Sequence, residues 1–367
     1  MEGSKKKLGF GLMRLPRKGV AIDLKEFERM TDHFLENGFT YFDTAHVYPG
    51  SEEAARKALV QRHPRESYTL ASKLFAASAI SEKVAKKQLQ TSLERLGTDY
   101  LDYYLLHTLM NSNYQKYERF HLWDFLQEQK EKGVIRHAGF SFHAGPDLLD
   151  ELLTQHPEVD FVQLQINYAD WENPSVTSRA NYEVARRHNK PVVIMEPVKG
   201  GKLANPTGEI LEAFRSAEPD MSPASWAIRF AASLDGVLAV LSGMSNLEQM
   251  KDNVSYMKEF RRLNEEEQQV IREVQRLMGR DRSIQCTACS YCTKGCPKQI
   301  PIPQIFAAVN KRDTAGRHEE AQEDYDRAVA GRGCASDCVH CLQCEDACPQ
   351  HLHITKLLED AAQKFDR

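Results

Sequence analysis

From residue 8 to residue 257, short runs of β-branched and aromatic residues alternate with stretches whose apolar positions recur at helical spacing, the pattern that builds parallel sheets from strand–helix units. Strands are expected at 8–15, 40–44, 68–72, 100–106, 137–142, 161–167, 192–196 and 237–242. Helices are expected at 24–37, 52–62, 82–96, 117–132, 147–155, 176–189, 223–233 and 246–257, with one more at 265–278. Eight strands, each followed by a helix, predict an α/β fold, the (β/α)8 TIM barrel, whose active sites lie at the C-terminal ends of the strands. Beyond it 303–311, 318–330 and 355–364 read as helices, so a small α-helical domain follows, and the chain divides into 1–280 and 281–367.

Composition changes this picture little. With 41% hydrophobic residues in 367 there is material for a substantial core, and no apolar run reaches the roughly 18 residues that cross a bilayer. Lys5, Lys6 and Lys7 precede no apolar segment, so they read as a solvated end and not as a secretory signal. A net charge of -4 with both signs interspersed leaves no basic footprint for nucleic acid. The expected setting is cytoplasmic, without membrane or nucleic-acid partners.

The cysteines change it more. All nine lie in the last quarter, and eight form two copies of C-x2-C-x2-C-x3-C-P: Cys286, Cys289, Cys292, Cys296 before Pro297, and Cys338, Cys341, Cys344, Cys348 before Pro349. Three thiolates at this spacing wrap a cubane iron-sulfur cluster, and the fourth, beside the proline, reaches the cluster of the other motif. Crossing over gives Cys286, Cys289, Cys292 and Cys348 to one 4Fe-4S cluster and Cys338, Cys341, Cys344 and Cys296 to the second. The rivals are structural zinc, which four cysteines also bind, and disulfides, which belong to oxidising compartments. Duplication, spacing and the trailing prolines favour clusters, and the module reads as a dicluster ferredoxin-like domain. Cys334 stands outside both motifs and reads as a spare buried thiol.

The barrel rule directs attention to strand ends. Asp43 ends the second strand, Lys73 the third and His107 the fourth, with Tyr48 in the loop beyond Asp43. Singly each has a plain explanation: a turn carboxylate, a solvated lysine, a core histidine, a tyrosine covering a loop. Together they hold what carbonyl reduction needs. Hydride addition to carbon leaves charge on oxygen, and a proton donor must stand within reach of it. Tyr48 is the candidate donor; its ordinary pKa near 10 is high for the task, and a cation such as Lys73 lowers it. Asp43 would hold the lysine, and a neutral His107 would orient the carbonyl.

The segment Phe42-Asp43-Thr44-Ala45-His46-Val47-Tyr48, the Ala71-Ser72-Lys73 and Leu105-Leu106-His107 strand ends, and the opening Leu8-Gly9-Phe10-Gly11-Leu12-Met13-Arg14 resemble the aldo-keto reductases over nearly all of the first 280 residues. The resemblance implies NADP(H) or NAD(H) lying across the barrel top and a small-molecule carbonyl substrate, an aldehyde or ketone. It carries the family's catalytic tetrad onto Asp43, Tyr48, Lys73 and His107. It carries cofactor contacts onto Gly11, Met13 and Arg14, onto Ser141 and Gln163 at the nicotinamide amide, and onto Gly243, Met244, Ser245, Gln249 and Asn253 at the adenosine end. A helix starting near Asn246 also suits a phosphate. Three positions depart from the family. Phe142 and His143 follow Ser141 where asparagine is usual; Met195 stands where an aromatic ring stacks on the nicotinamide; and the last barrel helix has no cation before Lys251, so NADPH over NADH rests on family habit.

Two questions stay open at this level. Tyr114, Tyr117, Phe120, Trp123 and Trp171 either line a substrate pocket or pack as helix faces, since helical spacing explains Tyr117, Phe120 and Phe125 equally. The clusters pass single electrons whereas nicotinamide yields a hydride, and no flavin motif bridges the two. The clusters of a nicotinamide-dependent reductase are then structural, sensing or electron-transferring. Alternatively the protein is a ferredoxin-linked oxidoreductase whose clusters feed a flavin or the substrate, with a ferredoxin or other electron-transfer protein as partner, or it is a non-enzymatic redox sensor.

Overall fold

The computed structural model describes residues 6–281 and 283–366, so Lys5 lies outside it. Lys7, expected in solvent, instead donates from Nζ to the Ala232 carbonyl at 2.8 Å. The described chain divides into two compact units, Met1–Val198 with Leu203–Arg272, and Lys199–Lys202 with Glu273–Arg367.

In the first unit eight parallel strands close a barrel: β1 (Leu8–Gly11), β2 (Tyr41–Asp43), β3 (Thr69–Leu74), β4 (Leu101–Leu109), β5 (Ile135–Phe142), β6 (Phe161–Gln165), β7 (Val192–Met195) and β8 (Val237–Ser242). β1 closes the ring, with Phe10 in register with Ser242 on one side and with Phe42 on the other. The helices between them are α1 (Leu24–Glu36), α2 (Ser51–Ala55), α3 (Glu82–Leu96), α4 (Leu122–Glu131), α5 (Pro146–Gln155), α6 (Ser178–Arg187), α7 (Pro223–Ser233) and α8 (Leu247–Met257). Asp23, Ser81, Ser222 and Asn246 cap the first turns of α1, α3, α7 and α8, each accepting a backbone N–H near the helix start.

Strand residues alternate between two apolar cores, as the period of two requires. One set, including Phe10, Phe42, Leu70, Tyr104 and Phe140, packs against the helices. The other, including Tyr41, Ala71, Tyr103, Leu105, Phe161 and Val193, forms a separate buried cluster, the barrel interior. Tyr103 lies 5.1 Å from the Phe161 ring and 5.2 Å from that of Tyr41. Gly139 makes room for Phe161: a Cβ there would stand 2.5 Å from the Phe161 carbonyl oxygen.

Element ends depart from the expected pattern where the chain turns. β1 stops at Gly11 and passes through a tight turn, Leu12–Arg14, into a small ribbon of Arg17–Lys18 and Ala21–Ile22. The helix expected over 117–132 is two, Tyr114–Arg119 and α4, divided at His121, whose φ of 47° is left-handed. After β7 comes an unanticipated helix, Gly208–Ala217, which buries Phe214. The helix Glu265–Met278 is fastened by buried Arg229 of α7, which donates to both Glu267 oxygens at 2.6 and 3.0 Å.

The second unit is helical: Ile302–Ala315, His318–Val329 and Ile354–Phe365 enclose Ile305, Phe306, Tyr325, Leu358 and Phe365, with Tyr325 stacked on Phe365 at 4.6 Å. The duplicated motif is a duplicated conformation. Ala288 and His340 share φ near 53°, Ser290 and Leu342 near 62°, Gln299 and His351 near 52°, and each motif contains one short helix, Tyr291–Lys294 and Gln343–Asp346.

Candidate active site and iron-sulfur centres

Because Tyr41, Ala71, Tyr103 and Leu105 face the barrel interior, the residues two further along β2, β3 and β4 do so as well at its C-terminal rim. Those residues are Asp43, Lys73 and His107, all buried. Lys73 Nζ forms an ion pair with Asp43 Oδ1 and donates to the Thr44 carbonyl at 2.7 Å. Burial pushes the Lys73 ammonium below the ordinary lysine range and the Asp43 carboxyl above its own, while their mutual attraction opposes both. The ammonium also lies over the Tyr48 ring, 5.2 Å from its centroid, and that ring meets His107 edge-on at 5.7 Å. The four predicted residues are therefore gathered in one place.

His107 is set by local irregularity. The β4–β5 register slips between Leu106 and Leu109, so β4 carries an extra residue at 107–108, and Thr108, though β-branched, has φ of 59°. Three contacts hold this bulge. Ser141 Oγ accepts the Thr108 N–H at 2.7 Å, the Tyr117 hydroxyl donates to the His107 carbonyl, and Asn113 Nδ2 donates to the Thr108 carbonyl at 2.8 Å. Tyr117 thus supports the site from behind instead of lining a pocket. Phe120, Trp123 and Phe125 belong to the core, and Trp171 packs against it beside Phe230. The roles of Tyr117 and Asn113 had no sequence signal, since each depends on a turn whose conformation only packing fixes.

The other residues expected to contact a cofactor lie at strand ends and turns of the same barrel. Ser141 and Gln163 are register partners on β5 and β6, and Met195 ends β7. Gln163 Oε1 and Asp43 Oδ2 are among the buried acceptors that lack a hydrogen-bond partner among the described residues. An amide and hydroxyl groups, which the nicotinamide riboside half offers, would satisfy them. Gly11 ends β1, with Met13 and Arg14 in the turn that follows. The Arg14 carbonyl accepts the Ser245 hydroxyl at 2.8 Å, and its side chain runs beside Gly243, whose neighbour Met244 is buried.

The adenosine-end residues largely satisfy one another. Gln249 Oε1 accepts the Ser245 N–H at 2.8 Å, and Asn253 Oδ1 accepts the Ser242 hydroxyl at 2.6 Å. At the start of α8, Asn246 Oδ1 accepts the Gln249 N–H at 2.8 Å and Glu26 Oε1 that of Leu247 at 2.8 Å. A carboxylate thus already occupies this helix terminus.

In the second unit, Cys286, Cys289, Cys292 and Cys348 line one cavity and Cys296, Cys338, Cys341 and Cys344 another, with Ile302 in the wall of both. These are the crossed sets. That arrangement fits a cluster better than tetrahedral zinc. Burial pushes the Cys292, Cys344 and Cys348 thiols up, Cys344 to about 11, so their thiolates need positive charge between them. Cys334 lines neither cavity. It is only half-buried, and its thiol meets Ser336 and Asp337 at 3.2 Å.

Residues 7–276 match the profile of the aldo/keto reductase family, and residues 285–352 that of the 4Fe-4S dicluster domain. An aldo-keto reductase of Mycolicibacterium vanbaalenii is 30% identical over 227 residues, 60% of this chain and 74% of that one. The uncharacterised oxidoreductase YqkF of Bacillus subtilis is 27% identical over 288 residues, 71% and 89% of the two chains. An aldo-keto reductase of Bacillus halodurans in its holo form superposes with a TM-score of 0.58 at 27% identity, covering 73% of this chain and 91% of that one. One from Klebsiella pneumoniae in complex with NADPH gives 0.60 at 20% identity over 75% and 92%, a likeness of fold.

Proposed function

The chain belongs to the aldo/keto reductase family and is an NAD(P)H-dependent oxidoreductase with an iron-sulfur domain, and we propose that it reduces the carbonyl of a small aldehyde or ketone at Asp43, Tyr48, Lys73 and His107. The observation that carries this reading is the buried Lys73 ammonium, ion-paired with Asp43 and lying over the Tyr48 ring.

A bound NAD(P)H would supply the hydride. Tyr48 gives its proton to the carbonyl oxygen, and the charge left on its own oxygen is stabilised by Lys73. Asp43 keeps the ammonium in place through Oδ1. His107, held by the bulge, orients the substrate oxygen. Gln163 Oε1 would accept an N–H of the nicotinamide amide, and Ser141, still able to donate its own hydroxyl proton, would serve the same group. Met13 and Arg14 border the dinucleotide from the β1 side, Gly243 to Ser245 from the β8 side. Glu26, at the start of α8, disfavours a 2'-phosphate, so we assign NADH in preference to NADPH.

Cys286, Cys289, Cys292 and Cys348 hold one four-iron cluster, and Cys296, Cys338, Cys341 and Cys344 the second, in line with the two cysteine-lined cavities. Clusters exchange single electrons, and a ferredoxin or similar protein is the partner class they fit. Neither is required for proton donation by Tyr48. The test is Tyr48→Phe: carbonyl reduction should fall by about a hundredfold or more while NADH still binds. Undiminished reduction by this variant would falsify the assignment.

A further inference from the structure

We propose that Lys199 sets the reduction potential of one cluster only, the one held by Cys286, Cys289, Cys292 and Cys348; the inference rests on the ligand sets given above.

Lys199 is 3% exposed, and its Nζ lies 3.5 Å from Gln350 Oε1, at the limit of a hydrogen bond. Gln350, itself buried, lines the cavity of that cluster together with Thr287. The backbone carrying Lys199 is held against this wall by an unusual path. Lys199, Gly200 and Gly201 follow one another with φ of 47°, 64° and 98°, all left-handed, a conformation that disfavours any residue but glycine. At Gly200 a Cβ would stand 2.7 Å from the Thr287 carbonyl oxygen, so the chain lies directly on the residue that follows Cys286. Lys202 fastens the far end, donating from Nζ to the Ile284 carbonyl at 2.9 Å. Strain of this kind persists only where the surroundings enforce it, and its result here is a cation behind the cavity wall.

The internal repeat supplies a comparison. Counted from the last cysteine of each motif, Gln350 corresponds to Lys298, which lines the other cavity but is exposed. Each cluster therefore has a lysine near the same wall, one buried and one in water. Reduction adds an electron to a cluster that is already anionic. A cation in a low-dielectric setting stabilises the reduced form and raises the potential, whereas an exposed cation is screened. Lys199 should act on its cluster much more strongly than Lys298 on the other.

The test is a redox titration of the intact protein, purified anaerobically with its clusters and followed by electron paramagnetic resonance. In Lys199→Met one of the two one-electron steps should move to more negative potential while the other stays. Lys199→Arg should return it most of the way, and Lys298→Met should move the second step less. Equal iron content in all variants establishes that they fold and load, and Lys199→Gln serves if Lys199→Met does not. Two steps that both stay in place, or that move together, overturn the role of Lys199 alone. A wild-type protein without two four-iron signals overturns the ligand sets and this inference with them.

Discussion

Ser141 Oγ accepts the backbone N–H of Thr108 at 2.7 Å, tying β5 to the one residue of β4 that is forced into the left-handed region directly after His107. The residue expected to contact the cofactor is thus also a support for the His107 imidazole. Ser141→Ala removes the acceptor of a buried N–H, which costs about 1–3 kcal/mol. Urea unfolding should register that loss. Turnover should fall in step with the altered aim of His107, and a variant as stable and as active as the parent would show that the bulge holds without Ser141.

Lys73 and Asp43 allow stability and chemistry to be separated. Lys73→Met leaves the Asp43 carboxylate buried without its partner, and breaking such a pair costs about 3–5 kcal/mol. Combining it with Asp43→Asn removes both charges and should restore most of the stability. Activity should remain lost in the double variant, because Tyr48 no longer has its cation. Denaturation midpoints and carbonyl reduction rates, measured side by side, decide this; a double variant no more stable than Lys73→Met contradicts the buried-pair account.

Glu26 governs the choice of dinucleotide if its place at the start of α8 has the meaning given above. Direct titration, following quenching of protein fluorescence, should give a tighter Kd for NADH than for NADPH. Glu26→Gln should narrow that gap, mainly by improving NADPH, since a carboxylate no longer opposes the phosphate. Equal affinities in the parent protein would remove Glu26 from the account while leaving the reductase reading intact.

Acidification should weaken the fold through His46 and His137. Burial lowers both pKa values from 6.5, against partial opposition from Glu52 at His46 and from Asp160 at His137. The folded chain therefore binds fewer protons than the unfolded chain as pH drops through that range, so stability is fully present above about 6.5 and declines below it. Urea midpoints should fall between pH 7.5 and pH 5.5. The fall should be shallower in the His46→Gln/His137→Gln variant, and an identical slope would point to other groups.

Much of this protein is written locally. A period of two or of 3.6 shows in a short window, so all eight strands and most helices around them could be read with their ends uncertain by a few residues, whereas Gly208–Ala217 is not read and 117–132 reads as one helix. Cysteine spacing is equally local, and strand ends sufficed to single out Asp43, Lys73 and His107.

What packing decided are the relations between residues far apart in the chain. The slip between Leu106 and Leu109, which aims His107, depends on a register with β5 that neither strand encodes alone. Tyr117 reads as a helix-face aromatic, and only the break at His121 and the turn before it bring its hydroxyl to the His107 carbonyl. The amides of Gln249 and Asn253 look available for a nucleotide until Ser245 and Ser242 are seen to occupy their oxygens. The sequence by itself determined which elements form and which thiols and ionisable groups are at hand, because propensity and spacing are short-range. Tertiary structure alone decided which of those groups meet, because burial, charge pairing and left-handed turns such as Lys199–Gly201 are stable only when distant segments enclose them.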